Sequence, residues 1–236
     1  MITFSLNGRQ LEYAGDENRT LLQYLRGTAG ITSVKDGCSG QGACGACMVE
    51  IDGKARLSCT RKMKTLEGSQ VITMEGIPAG VRDVIARAYV EKGAVQCGFC
   101  TPGLIMRTKV LFAENPYPDR QQIRKAINLN LCRCTGYVKI IDAIETALKK
   151  LNEPSSQAAP EAGSAVPDAG IGASLEKYQA YETAIGKRLF VNDMQVDGML
   201  NGALRFSDHP RARVILIDAS EALKVSGVIR IFTASD

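Results

Sequence analysis

The chain has 236 residues, 45% of them hydrophobic, and a formal net charge of +4. That is chain enough for one to three domains and apolar content enough for a packed core without covalent staples. No apolar run approaches about 18 residues, and the opening MITFSLNGRQ lacks both a basic and an apolar leader region, so the sequence predicts no membrane span, no secretory signal and a cytoplasmic setting.

In that setting eight cysteines point to metal binding rather than disulfides. The single histidine, His209, excludes zinc sites built on several histidines. The charge is uneven. Residues 1–150 hold 21 Lys+Arg and 14 Asp+Glu, net +7; residues 151–236 hold 8 and 11, net −3. A nucleic-acid surface is not expected, because the basic residues lack the aromatic interleaving of single-strand binders. Anionic metal clusters account for the basic half better, since two centres of about −2 each would bring it near +3.

In chain order, Ile2, Phe4 and Leu6 alternate with polar residues, Asn7-Gly8 turns, and Leu11 and Tyr13 alternate again, which predicts a β-hairpin. Thr20 is placed to cap a short helix through TLLQYLR. Next comes KDGCSGQGACGACMVEIDGKARLSC, with Cys38, Cys44, Cys47 and Cys59. Small residues separate the first three cysteines, so the backbone can take unusual dihedrals and aim N–H groups at sulfur. Three clustered cysteines with a fourth downstream match the plant-type 2Fe–2S spacing. Gly40, Gly42 and Gly45 also spell G-x-G-x-x-G, the dinucleotide fingerprint. That motif should open a helix, whereas here MVEI, Asp52-Gly53 and KARL predict a second hairpin. A strand QVITME closes the unit.

From Val81 the apolar period changes to that of a helix, stopped by Gly93. VQCGFCTPG follows, with Thr101 predicted as a helix cap and Pro102 in the first turn. Asp119 and Gln122 form a capping-box signature for a third helix, and CRCTG places Thr135 to cap a fourth. Two helices starting just after Cys97-x2-Cys100 and Cys132-x-Cys134 would aim free N–H groups at one anionic cluster. A four-cysteine zinc site is the competing reading, although C-x-C with a helix on each pair is unusual for zinc. Fifteen of the 22 residues 152–173 are Ala, Pro, Ser or Gly, the composition of a linker. Beyond it, Ala203–Phe206 and Val214–Ile217 carry strand patterns, and SDHPRAR reads as a structural turn containing His209 and Arg211.

The first cysteine loop, together with GAVQCGFCTPG and NLCRCTGY, resembles the iron–sulfur region of the molybdenum hydroxylases, the xanthine dehydrogenase and aldehyde oxidoreductase family. The resemblance implies an α+β chain. A β-grasp 2Fe–2S ferredoxin-like domain spans 1–76 and an all-α four-helix 2Fe–2S domain spans 77–151. A linker at 152–174 precedes a partial α/β segment at 175–236, the start of a hammerhead-like molybdenum-binding domain. It assigns Cys38, Cys44, Cys47 and Cys59 to one cluster and Cys97, Cys100, Cys132 and Cys134 to another. It also places Gln96 and Cys134 on the pterin side; the plain alternative for Gln96 is a backbone-capping amide in a tight turn.

The implied role is an electron relay. Electrons from a molybdopterin site, with the cytosine dinucleotide among its forms, pass one at a time to a flavin or other acceptor while a purine, another N-heterocycle or an aldehyde is hydroxylated. The implied partners are a molybdenum-binding polypeptide or downstream continuation and, as one acceptor, an FAD subunit. A stand-alone 2Fe–2S carrier or assembly module is the alternative. The resemblance departs at one point: five residues, Ser39 to Ala43, separate the first two cysteines where the family usually has four. Selenium-dependent xanthine dehydrogenases share this longer SGQGA loop. FTASD falls inside a strand-and-turn pattern, so the sequence reads as interrupted at Asp236, with a separate small subunit as the other option.

Overall fold

The two Asx-Gly turns set the sheet. In the computed structural model, Asn7 and Gly8 have φ of 53° and 83°, and Asp52 and Gly53 have 51° and 76°. Two successive left-handed residues make the turn whose twist suits a hairpin. They join β1 (Ile2–Leu6) to β2 (Arg9–Tyr13) and β3 (Met48–Ile51) to β4 (Lys54–Leu57). β5 (Gln70–Ile72) runs parallel to β1 and antiparallel to β3, giving the order β2-β1-β5-β3-β4. The helix α1 (Leu21–Gly27) begins with a reciprocal capping box between Thr20 and Gln23. It buries Leu21, Leu22, Tyr24 and Leu25 against the sheet, where Tyr24 meets Phe4 and Tyr13 edge to face.

The structure describes residues 1–153 and 175–236; most of the linker expected at 152–174 lies outside them. These residues divide into two units, Met1–Met194 and Gln195–Asp236. In the first unit the sheet is followed by α2 (Ala79–Glu91), α3 (Thr101–Glu114), α4 (Arg120–Ala126) and α5 (Val138–Asn152). Asp119 and Gln122 form the expected capping box on α4. Ile85, Tyr89, Leu104, Ile105, Ile123, Ile140 and Ile144 are fully buried between these helices. α3 packs on β3, where Lys109 pairs with Glu50.

Two helix starts differ from the sequence expectation. Gly98, with φ 81°, turns the chain so that Thr101 N–H donates to the Gly98 carbonyl, and the Cys100 carbonyl already accepts from Leu104. Cys100 therefore occupies the cap position of α3, and Thr101 is buried in the first turn. Thr135 does not cap α5 either. Gly136 and Tyr137 are both left-handed, with φ of 66° and 70°, which a right-handed helix cannot include, so α5 starts at Val138.

Residues 175–194 belong to the first unit. Their helix α6 (Ala180–Ala184) packs on α2 and α3. Tyr181 donates to Asp83 at 2.6 Å, and the Arg87 guanidinium lies over the Tyr181 ring. Asp193 pairs with Lys35, whose side chain is fully buried, and with Arg26 at 2.9 Å.

The second unit contains α7 (Ser220–Leu223). Neither strand expected at 203–206 and 214–217 forms a ladder, and Leu204, Phe206, Val214, Ile215 and Leu216 are exposed. An isolated strand has no partner for its backbone groups, so the alternating pattern alone does not make a sheet. Ser207 closes a turn onto His209, accepting from its N–H and donating to its carbonyl, each at 3.0 Å. Among the described residues, no helix is long and apolar enough to cross a membrane.

Candidate metal centres

The first loop is a run of unusual dihedrals. Ser39, Gly40, Gly42 and Gly45 all have positive φ, between 51° and 79°. The chain turns back on itself there and directs amides inward. Burial pushes the Cys38 thiol up, but the N–H groups of Ala43, Cys44 and Gln41 and the Cys44 side chain outweigh it, and the net shift is downward. Cys44 moves the other way, driven by burial and by its contact with Cys38. Cys59 is pushed up to about 12 by burial and by its contact with Cys47. Cys59 reaches the loop because β3 and β4 return the chain to it, and Ser58 locks the return by donating from both N–H and hydroxyl to the Cys47 carbonyl.

The second quartet comes from two segments. Cys100 sits at the start of α3, with its thiol raised by burial and by Cys132. Burial also acts on Cys132, but the Thr135 hydroxyl and the N–H groups of Thr135 and Cys134 lower it on balance. Thr135 Oγ1 lies 3.1 Å from Cys132 Sγ. Cys132 N–H donates to the Tyr137 hydroxyl at 2.8 Å, so the left-handed Tyr137 that delays α5 also fixes this cysteine. Cys134 Sγ stands 3.5 Å from Cys97 Sγ, and both residues are exposed.

All eight cysteines are unbridged thiols. They touch in four pairs: Cys38 with Cys44, Cys47 with Cys59, Cys97 with Cys134, and Cys100 with Cys132. The pairs group by twos, because Cys38 acts on Cys59 and Cys132 acts on Cys97. A 2Fe–2S centre takes four thiolates, two to each iron, and this donor set fits it. A structural zinc asks instead for four ligands around one ion.

Gln96 is exposed beside Cys97, and among the described residues no hydrogen bond holds its side chain. Sequence reasoning missed three participants. Asn130, 2% exposed, donates from its side chain to the Gly45 carbonyl at 3.2 Å. Phe99 stacks edge-on against Phe190. Lys35, just before the first loop, draws Asp193 from far along the chain. Nothing in their spacing signals these roles, because each depends on how the sheet meets the helices.

Two family models match in tandem: the 2Fe-2S iron-sulfur cluster binding domain over residues 4–72 and the [2Fe-2S] binding domain over residues 73–145. The chain is 41% identical over 150 residues to the nicotinate dehydrogenase small FeS subunit of Eubacterium barkeri, covering 63% of this chain and 95% of that one. It is 33% identical over 240 residues to the aldehyde oxidoreductase of Megalodesulfovibrio gigas, covering 98% of this chain but 26% of that one. The crystal structure of the aldehyde oxidoreductase from Desulfovibrio desulfuricans ATCC 27774 superimposes with a TM-score of 0.73 at 36% identity, over 81% of this chain and 22% of that one. The chain thus spans about a quarter of the length of these aldehyde oxidoreductases and nearly the whole of the small FeS subunit.

Proposed function

Because this chain belongs to the molybdenum hydroxylase family as an iron–sulfur component, we propose that it carries electrons one at a time between a molybdopterin site and a flavin or other acceptor. Cys38, Cys44, Cys47 and Cys59 hold one 2Fe–2S centre in a domain ending near residue 76. Cys97, Cys100, Cys132 and Cys134 hold the other in the domain from 77 to 151. Such a centre, when bound, takes up and returns single electrons. The grouping of eight free thiols into four touching pairs in two neighbourhoods carries this reading.

The residues divide the work. The first loop supplies backbone N–H groups that stabilise negative charge on sulfur. Thr135 and the amides after Cys132 do the same at the second site. Cys97, Cys134 and Gln96 are exposed together, which supports a second site that faces the molybdopterin-bearing polypeptide. The exposed Ser39, Gly40 and Gln41 support a first loop turned toward the acceptor, with an FAD subunit as one candidate. The substrate of the assembled enzyme is a purine, another N-heterocycle or an aldehyde.

The test is iron and acid-labile sulfide analysis of anaerobically prepared protein. About four of each per chain are expected. Zinc in their place overturns the assignment. The isolated chain should reduce no dye with xanthine or an aldehyde until the molybdenum-binding polypeptide is added.

A further inference from the structure

The outer strand β4 carries a cationic face. Its side chains alternate: Ala55 and Leu57 pack on the helical core, whereas Lys54 and Arg56 are exposed. β4 is the last strand of the sheet, so its far edge pairs with no strand. Charged side chains on such an edge oppose strand addition and leave recognition to charge. Lys54 and Arg56 form a ridge between two open clefts, of about 280 and 260 Å³, and line both. Arg61, Thr65 and Ser69 also line the first, and Arg107 and Lys125 the second. The carboxylates in these clefts are already engaged: Asp52 accepts from the Gln70 N–H at 2.7 Å, and Glu114 pairs with Arg107 at 3.1 Å. Among the described residues, Lys54, Arg56, Arg61 and Lys125 form no ion pair. This face adjoins the first cysteine loop. A Cβ on Gly42 would stand 2.9 Å from Thr60 Cγ2 and 3.9 Å from Leu57 Cδ1, so the end of β4 lies against that loop, where Ser39, Gly40 and Gln41 are exposed.

We infer that the ridge of Lys54 and Arg56, with Arg61 and Lys125 on its two sides, seats an acidic protein that takes electrons from the first site. This rests on the reading of the two quartets as 2Fe–2S sites with the first loop turned toward the acceptor. Neither cleft reaches the volume of about 300 Å³ that encloses a drug-sized ligand, and both are open, so the face suits a protein surface rather than an isolated cofactor. Four cations without a counter-charge attract an acidic surface and repel a basic one. The attraction gathers the partner beside the loop and raises the rate of encounter, and cations on both sides of the ridge fix its orientation. The balance is simple: one electron leaves the first site, one enters the acceptor, no bond forms or breaks, and no proton moves.

The experiment uses the full chain loaded with both centres. It is photoreduced without oxygen and mixed in a stopped-flow with one of two acceptors of opposite surface charge, the acidic copper protein plastocyanin or the basic haem protein cytochrome c. Iron content and both midpoint potentials are measured alongside. At low salt plastocyanin should be reduced faster than cytochrome c, and added salt should slow the first and speed the second. Arg56→Glu should slow plastocyanin reduction by about tenfold at low salt, the lower end of electrostatic steering, with iron and both potentials retained. Lys54→Glu should slow it as well, and carries the test if Arg56→Glu fails to assemble. Arg9→Glu makes the same change of charge on β2, at the opposite edge of the sheet, and should leave the rate unchanged. Equal slowing by Arg9→Glu would mean that net charge rather than the β4 face sets the rate, and overturns the inference. A rate indifferent to Arg56→Glu and Lys54→Glu, or no preference for plastocyanin, in protein that holds both centres, overturns the inference alone. Protein without iron and sulfide overturns the underlying reading with it.

Discussion

The sheet module and the helical module hold their thiols by different means. In the first, a continuous stretch supplies all four cysteines, and a loop with positive φ at four residues brings three of them close. The rigid part is the hairpin β3–β4, which returns Cys59 to the loop. In the second, the cysteines come from two segments separated by α3 and α4, so that site exists only when the helices pack. Exposure differs too. Cys44, Cys47 and Cys59 are buried, whereas Cys97 and Cys134 are open to a neighbour. The loop-built site depends on local backbone, and the helix-built site depends on tertiary contacts and presents a face.

The hardest test of that contrast removes one thiol from the packed side. Cys100→Ser takes away a buried partner of Cys132. Iron should fall from about four to about two per chain, with the resonance of the first centre retained, because none of its four cysteines comes from the helical segments. Loss of both centres together would show that the two modules assemble as one unit and break the comparison.

The contrast also explains what could be read from the amino acids. Cys38 to Cys59 lie on one stretch with a plant-type spacing, so their grouping is legible before any fold is known. Thr20 and Asp119 announce their capping boxes through the residue three places on. Thr101 and Thr135 have the same composition cue but miss, because the left-handed residues Gly98, Gly136 and Tyr137 decide where each helix starts. The patterns at 203–206 and 214–217 show alternation without a ladder, since a ladder requires a second strand and alternation specifies only one face. Lys35 and Asp193 carry no signal at all. Their pairing spans most of the chain and follows from residues 175–194 packing beside the first loop.

That pairing gives the next largest effect and asks whether the segment 175–194 is part of the sheet module's stability. Lys35 and Asp193 side chains are both fully buried. Asp193→Ala leaves the ammonium without its partner and should cost roughly 3–5 kcal/mol. The urea unfolding midpoint of the first unit reads this; an unchanged midpoint would mean the segment is not docked in solution. Burial pushes the Asp193 carboxyl up, but Lys35, the Phe190 N–H and Arg26 hold it below the usual carboxylate range on balance. A folded pKa below the unfolded one means that this contribution is complete above the ordinary value of 3.8 and fades as pH falls through the folded value. The gap between the native protein and Asp193→Ala should therefore narrow in strong acid.

The smallest effect lies within the helical module, where Lys150 of α5 reaches Glu91 at the end of α2 at 2.6 Å. The Lys150 hydrogen bond holds the Glu91 carboxyl below its ordinary value of 4.5, with burial opposing and Lys92 adding to the effect. The direction is the same as for Asp193, so the contribution is present above 4.5 and lost as pH falls through the folded value. The size is not the same. Glu91 and Lys150 side chains are 47% and 41% exposed, so water and salt screen the pair and two long side chains lose freedom in making it. Glu91→Gln should thus change stability by about 0.5 kcal/mol or less, and less still in high salt. The apolar contacts of Ile85, Tyr89, Ile140 and Ile144, not this bridge, hold α2 to α5. If Glu91→Gln lowered the urea midpoint as far as Asp193→Ala does, the helical module would be held by charge at its surface rather than by its core. The second cysteine quartet would then depend on ionic strength in a way the first does not.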